Sequence, residues 1–367
     1  MSRTFAFLAC ASGATVDTLS LDTQTGQLDR VSRVAGLGRV SALALDPAGT
    51  LYAAVNSEPR RTLALALDPA GGAPDPVADR PVPVSSCYLS LTEDGTRLLS
   101  ASYHEGLALG YPVPAEDQET PGSAATAGLG GLTEYRSGRN THSALPSPDG
   151  RFAYTASLGD DRISWFALDA AAPGSSAHDA GTVAPSGYVA CEPGSGPRHI
   201  VFDRTGRHAF VLHELSGDVT VYERDAETGA LDLVWTASAV EGLELLPGLV
   251  RSPATEDPGQ GVVWCADLRL TPDGRFLFTT ERSTSTVAAL LVHEHGKLEF
   301  LRHTMTEAQP RGMAIDPTGQ FLLVAGERSN HVTSYRIDPE DGTLEDVSRV
   351  ETADGPLWIE CWTPAAG

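Results

Sequence analysis

The chain has 367 residues, with 48 Asp or Glu against 26 Lys or Arg, a net charge of −22. That excess of acid repels phosphate backbones and anionic bilayers, so the partner classes nucleic acid and membrane surface are excluded. At 41% hydrophobic the chain can bury a core, no apolar run approaches the ~20 residues of a membrane span, and 37 glycines with 25 prolines imply many turns.

The N-terminal Phe5–Cys10 (FAFLAC) reads as a first β-strand. A single preceding arginine and an apolar stretch below the ~7–15 residues of a signal core argue against a cleaved leader. The five cysteines (Cys10, Cys87, Cys191, Cys265, Cys361) show no paired spacing. No disulfide framework or zinc motif is expected, and a reducing, cytoplasmic setting follows.

One pattern then repeats along the chain: an alternating strand, a turn closed by glycine, and a second apolar strand. It is clear in HIVFDRTGRHAFVLH (His199–His213) and DLRLTPDGRFLFTTE (Asp267–Glu281), and its turn glycines are Gly49, Gly95, Gly150, Gly206, Gly274 and Gly319. A further alternating hairpin follows each pair, as in VTVYERDAETGALDLVW (Val219–Trp235). Four short antiparallel strands per ~50 residues describe one propeller blade. Six units are complete; Thr4–Asp22 supplies outer strands without an inner one, and PLWIECW (Pro356–Trp362) an inner strand without outer ones. The expected fold is therefore all-β, a seven-bladed β-propeller over residues 1–367 as one domain, its ring closed by the C-terminal strand completing the N-terminal blade.

Residues equally far before and after an antiparallel turn meet at its far end. Eight positions either side of the glycines stand His142, Arg198, Glu214, Arg282, Arg311 and Glu327, with Tyr103 and His104 alongside. These form a polar ring at one mouth of the central channel. The connections Pro114–Gly138, Ala171–Gly196 and Val240–Gly261 are expected to wall the same mouth. Three converging arginines suit a carboxylate or phosphate, and His142 or Glu214 suits proton transfer. The chemistry supported is addition of an oxygen nucleophile across an ester or alkene, with arginines stabilising the oxyanion. Arg198 and Glu214 equally suit an ion pair within one blade. His199 and His213 are expected to point away from the ring and serve strand hydrogen bonding. No motif calls for a metal or other cofactor.

At these residues the sequence resembles the seven-bladed propeller lactonase family, which includes propeller-type 6-phosphogluconolactonases and carboxy-cis,cis-muconate cyclases. The most specific stretches are GSGPRHIVFDRTGRHAFVLHELSGDVTVYERDAETGAL (Gly194–Leu231) and PRGMAIDPTGQFLLVAGERSNHVTSYRIDPEDGTL (Pro310–Leu344). The resemblance implies active-site positions at His142, Arg198, Glu214 and Arg282. A family Glu-x-His on one inner strand is matched here by Asp267 and Arg269, which joins these two to Arg311, Glu327, Tyr103 and His104 as substrate-binding candidates. The implied activity is hydrolysis of the lactone of a small acidic molecule, 6-phosphogluconolactone-like. The alternatives are a cyclase acting on an unsaturated carboxylate, or a non-catalytic propeller that binds a ligand or partner. The expected partner is a small anionic molecule, and the expected state a monomer.

Overall fold

Each repeat marked by a turn glycine forms a four-stranded antiparallel sheet whose chain runs outward from a central axis. The computed structural model describes residues 3–114, 131–168, 181–250 and 261–365. The innermost strands of the six complete blades are Val40–Asp46, Tyr88–Leu91, Thr141–Pro146, Pro197–Phe202, Cys265–Leu270 and Pro310–Ile315. The seventh sheet joins the two ends of the chain: Pro356–Trp362 lies innermost and pairs with Thr4–Cys10, followed by Thr15–Leu21 and Leu28–Ala35. The seven-bladed β-propeller and its closure are as the repeat pattern predicts.

Burial follows radial position. Second strands such as Phe152–Ser157, Phe276–Glu281 and Phe321–Gly326 are buried along their whole length, because neighbouring blades cover both faces. An outermost strand such as Leu231–Ser238 is largely exposed. Blades also clasp one another through their outer hairpins. Gly229 turns at φ +75 against Phe152 of the preceding blade, and a Cβ there would come within 2.8 Å of the ring. Gly342 approaches Phe276 in the same way, at 2.7 Å. Any side chain at either glycine would prise two blades apart.

Five of the innermost strands pair irregularly near the end remote from the glycine turn. The register slips between Val40 and Ala42, Thr141 and Ser143, Pro197 and His199, Cys265 and Leu268, and Pro310 and Gly312. The residues left over in these bulges are Ser41, His142, Arg198, Ala266 with Asp267, and Arg311. A bulge inserts a residue with no direct partner and re-aims its side chain. The ring inferred from spacing is thus a ring of bulges around one channel mouth.

The walls of that mouth differ from expectation. In a four-stranded blade, the connection between third and fourth strands opens at the same end as the glycine turn. Pro112 pairs with Arg97 beside the Gly95 turn, and Leu168 donates its N–H to Arg151 beside Gly150. The long parts of Pro114–Gly138 and Ala171–Gly196 therefore leave from the opposite face. Residues 115–130 and 169–180 within them lie outside the described residues. Part of the second segment, Gly181–Val183, adds a fifth strand parallel to Thr133–Tyr135 of the preceding blade. The end of the second segment reaches the mouth, where the Gly196 carbonyl accepts from the Glu214 N–H. Val240–Gly261 does join two blades on the mouth face, where the Gly248 N–H donates to the Leu215 carbonyl (2.8 Å); residues 251–260 of it lie outside the described residues.

Candidate active site

The site begins at the approach to the fourth inner strand. The Asp161 carboxylate accepts the N–H groups of Gly194 (2.8 Å) and Gly196 (2.9 Å), shaping the turn that delivers Arg198. Gly196 adopts φ +66, and a Cβ there would strike Leu215 at 2.7 Å. Arg198 then donates from Nε to Glu214 Oε2 at 2.6 Å. Glu214 directly follows the partner strand, so the ion pair spans a single hairpin.

Arg282 enters from the next blade and places Nη2 at 3.2 Å from the same Glu214 oxygen. Its other bonds go to the Trp264 carbonyl (Nε, 3.0 Å) and the Cys265 carbonyl (Nη2, 2.9 Å). The Trp264 ring covers one face of this guanidinium, and its indole N–H donates to Glu214 Oε1 at 3.1 Å. Both carboxylate oxygens of Glu214 are therefore occupied, and Arg198, Glu214 and Arg282 are all buried. Burial pulls the Glu214 carboxyl upward, but Arg282, Arg198 and Arg311 outweigh it and hold it below the usual range. The group is a fixed anion that braces two guanidinium groups.

Beneath the brace lies a floor. Arg198 Nη1 contacts the Ala266 carbonyl and lies 2.9 Å from His199 Nε2. Arginine only donates, so Nε2 is the acceptor and the His199 proton sits on Nδ1. That proton points at Asp267 Oδ1, 2.9 Å away. Asp267 Oδ1 also accepts the Leu268 N–H (3.0 Å), while its Oδ2 accepts the Met313 N–H (3.0 Å) and pairs with Arg269 (3.3 Å). Tyr88 and Trp358 close the floor, with Tyr88 packed edge-on against His199 (5.2 Å) and Trp358 (5.1 Å). Burial, with Arg198 adding to it, lowers the His199 pKa to about 4. For Asp267, Arg269 and His199 overcome burial and bring the value down to about 2.

His142 stands at the edge of this floor, 5.3 Å from the His199 ring and 5.7 Å from Tyr103. It is 5% exposed, and its Nδ1 has no hydrogen-bond partner among the described residues. Burial, then the charges of Arg198, His199, Arg311 and Arg282, push its pKa well below the ordinary value, so the ring is neutral. The rim above is more open. Arg311 and Glu327 meet in one loose contact of 3.5 Å, with side chains 24% and 26% exposed. Tyr103 is partly exposed, and His104 is exposed and edge-on to it.

The sequence-derived candidates divide between three levels. His142, Arg198, Glu214 and Arg282 come together, and Arg311, Glu327, Tyr103 and His104 sit on the rim above them. Asp267 belongs to the buried floor, and Arg269 lies one alternation further along its strand, toward the glycine-turn end. Asp267 is buried, while the Arg269 side chain is 25% exposed. His199 was expected to point away, yet it is central. The bulge at Arg198 resets the alternation, so two successive residues both reach the channel. His213 does lie apart, bonded to Ser195 (3.0 Å) and Thr220 (2.8 Å). Burial pushes the Cys87 thiol up to about 12. Among the described residues, no group of three or more His, Cys, Asp or Glu is placed to hold a metal ion, and no helix is long and apolar enough to cross a membrane.

A 6-phosphogluconolactonase from Klebsiella pneumoniae (strain 342) is 31% identical over 338 residues, covering 91% of this chain and 92% of that one. Another 6-phosphogluconolactonase, from Pectobacterium carotovorum subsp. carotovorum (strain PC1), is 33% identical over 279 residues, covering 76% and 75%. A periplasmic gluconolactonase from Pseudomonas aeruginosa shares the fold at a TM-score of 0.78 and 23% identity, covering 99% of this chain and 100% of that one. The family described as "Lactonase, 7-bladed beta-propeller" matches residues 5–361. This chain, with bulge-borne His142 and Arg198 beside Glu214 at one channel mouth, belongs to that lactonase family of seven-bladed β-propellers.

Proposed function

We propose that the chain hydrolyses the lactone of a small acidic molecule, with 6-phosphogluconolactone as its substrate. The observation that carries this is His142: a buried, neutral imidazole on the bulge of its inner strand, with no partner for Nδ1 among the described residues, at the mouth that Arg311 rims. Water attacks the lactone carbonyl carbon while His142 takes its proton. The oxyanion that forms on the carbonyl oxygen is stabilised by the charges of the braced Arg198 and Arg282. Collapse of the tetrahedral species breaks the bond to the ring oxygen, which recovers the proton from His142 and leaves as a hydroxyl. The product is an open-chain hydroxy acid.

In this reading Arg198 and Arg282 act chiefly through fixed charge, because most of their donors are already engaged. A Glu214 that delivers a proton, as lactone closure on an unsaturated dicarboxylate calls for, fits poorly with a carboxylate held ionised by two guanidinium groups. The five free cysteines favour a reducing compartment, and we place the protein in the cytoplasm as a monomer formed by one domain over residues 1–367.

The test is to follow ring opening of 6-phosphogluconolactone above its spontaneous rate, with carboxymuconate assayed in parallel. His142→Ala is expected to lower kcat by about 10²–10⁴-fold, the usual contribution of a general base. Turnover of carboxymuconate alone would move the assignment to a cyclase. Inactivity on both would leave a binding propeller.

A further inference from the structure

The charged groups of the mouth divide by how much of each is already committed. Arg198 and Arg282 spend most of their donors on Glu214, on backbone carbonyls and on His199, and their side chains are 2% and 1% exposed. Arg311 is partly exposed and bound to the loop-end Glu327 by a single 3.5 Å contact. A further arginine stands at the same mouth.

Arg39 closes the connection Gly36-Leu37-Gly38-Arg39 that enters the first inner strand. Its backbone is pinned on both sides: its N–H donates to Ser57 Oγ (2.8 Å), and its carbonyl accepts the Asn56 N–H (2.8 Å). Gly36 and Gly38 take φ +76 and +93, and a Cβ at Gly38 would press on Ser57 at 3.0 Å. The main chain is therefore fixed while the side chain stays exposed. Its charge is one of those that, against burial and together with Arg311 and Arg282, keep the Glu327 carboxyl below its usual range. Arg39 and Arg311 flank the blade built on Pro356–Trp362, which carries uncharged Leu357 at its own register slip. Arg311 stands three blades round the ring from the blade of His142, and Arg39 two blades from it on the other side.

We propose that Arg39 and Arg311 form the subsite that receives the phosphate monoester of the substrate, with Glu327 as the counter-ion they share when no ligand is bound. The proposal rests on the lactonase reading and names the residues that select a phosphorylated lactone. A sugar lactone carries its reacting carbonyl and its exocyclic phosphoryl group at opposite ends. A molecule of that shape spans the mouth, with the carbonyl at His142 and the phosphoryl group between the two arginines. Guanidinium groups match phosphate oxygens two at a time, and these two have donors to give. Glu327 opposes the incoming dianion, so removing its charge strengthens binding whereas removing Arg39 weakens it.

The experiment compares wild type, Arg39→Ala and Glu327→Gln on 6-phosphogluconolactone and on unphosphorylated glucono-δ-lactone, with 6-phosphogluconate binding measured by calorimetry. Arg39→Ala is expected to raise KM for the phosphorylated lactone by at least about tenfold more than for the unphosphorylated one, the scale of a lost hydrogen bond to a charged group. Glu327→Gln is expected to lower KM for the phosphorylated lactone and to tighten 6-phosphogluconate binding. Equal effects of Arg39→Ala on both lactones, or a fall in kcat on both with Glu327→Gln, overturn the subsite. Should wild type turn over neither lactone, the lactonase reading fails by itself, and calorimetry decides the subsite. Tighter 6-phosphogluconate binding by wild type than by Arg39→Ala then supports it, and equal or absent binding overturns it.

Discussion

Trp264 and Arg282 are locked face to face, with the guanidinium carbon 3.8 Å from the indole ring centroid. The same indole donates to the carboxylate that Arg282 pairs with. One tryptophan thus fixes both the cation and its counter-ion. Trp264→Phe keeps an aromatic face and deletes the N–H, so kcat/KM is expected to fall about 3–10-fold, the range of a single lost hydrogen bond. Trp264→Ala deletes the stack as well and is expected to cost clearly more. Steady-state kinetics on both variants checks the order; equal activity in the two would detach the stack from catalysis.

Glu214 neutralises two buried guanidinium groups, and Glu214→Gln leaves both uncompensated. Removing one partner of a buried ion pair costs about 3–5 kcal/mol. A marked drop in the urea midpoint is therefore expected, along with loss of activity. Glu214→Asp retains the charge and is expected to recover part of the stability. A Glu214→Gln protein as stable as wild type, lacking only activity, would return Glu214 to a direct proton-transfer role.

The buried histidines set an acid limit on stability. Burial lowers both His199 and His213 to about 4 and puts His142 well below its ordinary value. The unfolded chain binds protons on these rings as pH falls through about 6.5, whereas the folded protein binds none until much lower pH. Stability is therefore complete above about pH 6.5 and declines steadily toward pH 4. Asp267, held at about 2, extends the loss below the ordinary carboxylate range as pH falls through that value. Calorimetric Tm values between pH 8 and pH 4 test this. A flat profile across the interval would contradict the neutral, buried state of these rings.

The direction of the hydrogen bond between Arg198 and His199 assigns a tautomer that spectroscopy can read. His199 is expected to carry its proton on Nδ1 and to keep it there from pH 8 down to about pH 5, as seen in the nitrogen shifts of labelled imidazole. Asp267→Asn weakens the acceptor that fixes this proton. It is expected to disturb the His199 signal while leaving that of His213, whose partners are Ser195 and Thr220, in place.

Much of this architecture could be read from spacing. Six turn glycines at corresponding places, with unmatched strand halves at the two ends, determine a seven-bladed ring, and an eight-residue offset from each glycine lands on the polar mouth. What spacing could not show was the bulge itself. Simple alternation places His199 on the opposite face from Arg198, and only an extra unpaired residue turns both toward the axis. The offset likewise groups Arg198, Arg282 and Arg311 as equals, although the first two are buried and mostly committed to carbonyls and Glu214, whereas the third is partly exposed. Such differences depend on which acceptors lie within reach, and those acceptors come from other blades. Arg39 escaped notice for a simpler reason, since it stands two residues outside the offset that located the ring.

The blade shared by the two chain ends carries a consequence for how this enzyme comes into being. Trp358, part of the floor beside His142, stands on Pro356–Trp362, and that strand pairs with Thr4–Cys10, which lies far from it in sequence. Thr4 and Thr363 then meet through their hydroxyl groups at 2.7 Å. Six blades can form from contacts between strands near in sequence and still lack this part of the floor. The floor is complete only once that long-range pairing is made, and a chain cut short before Pro356 is left with an unfloored mouth.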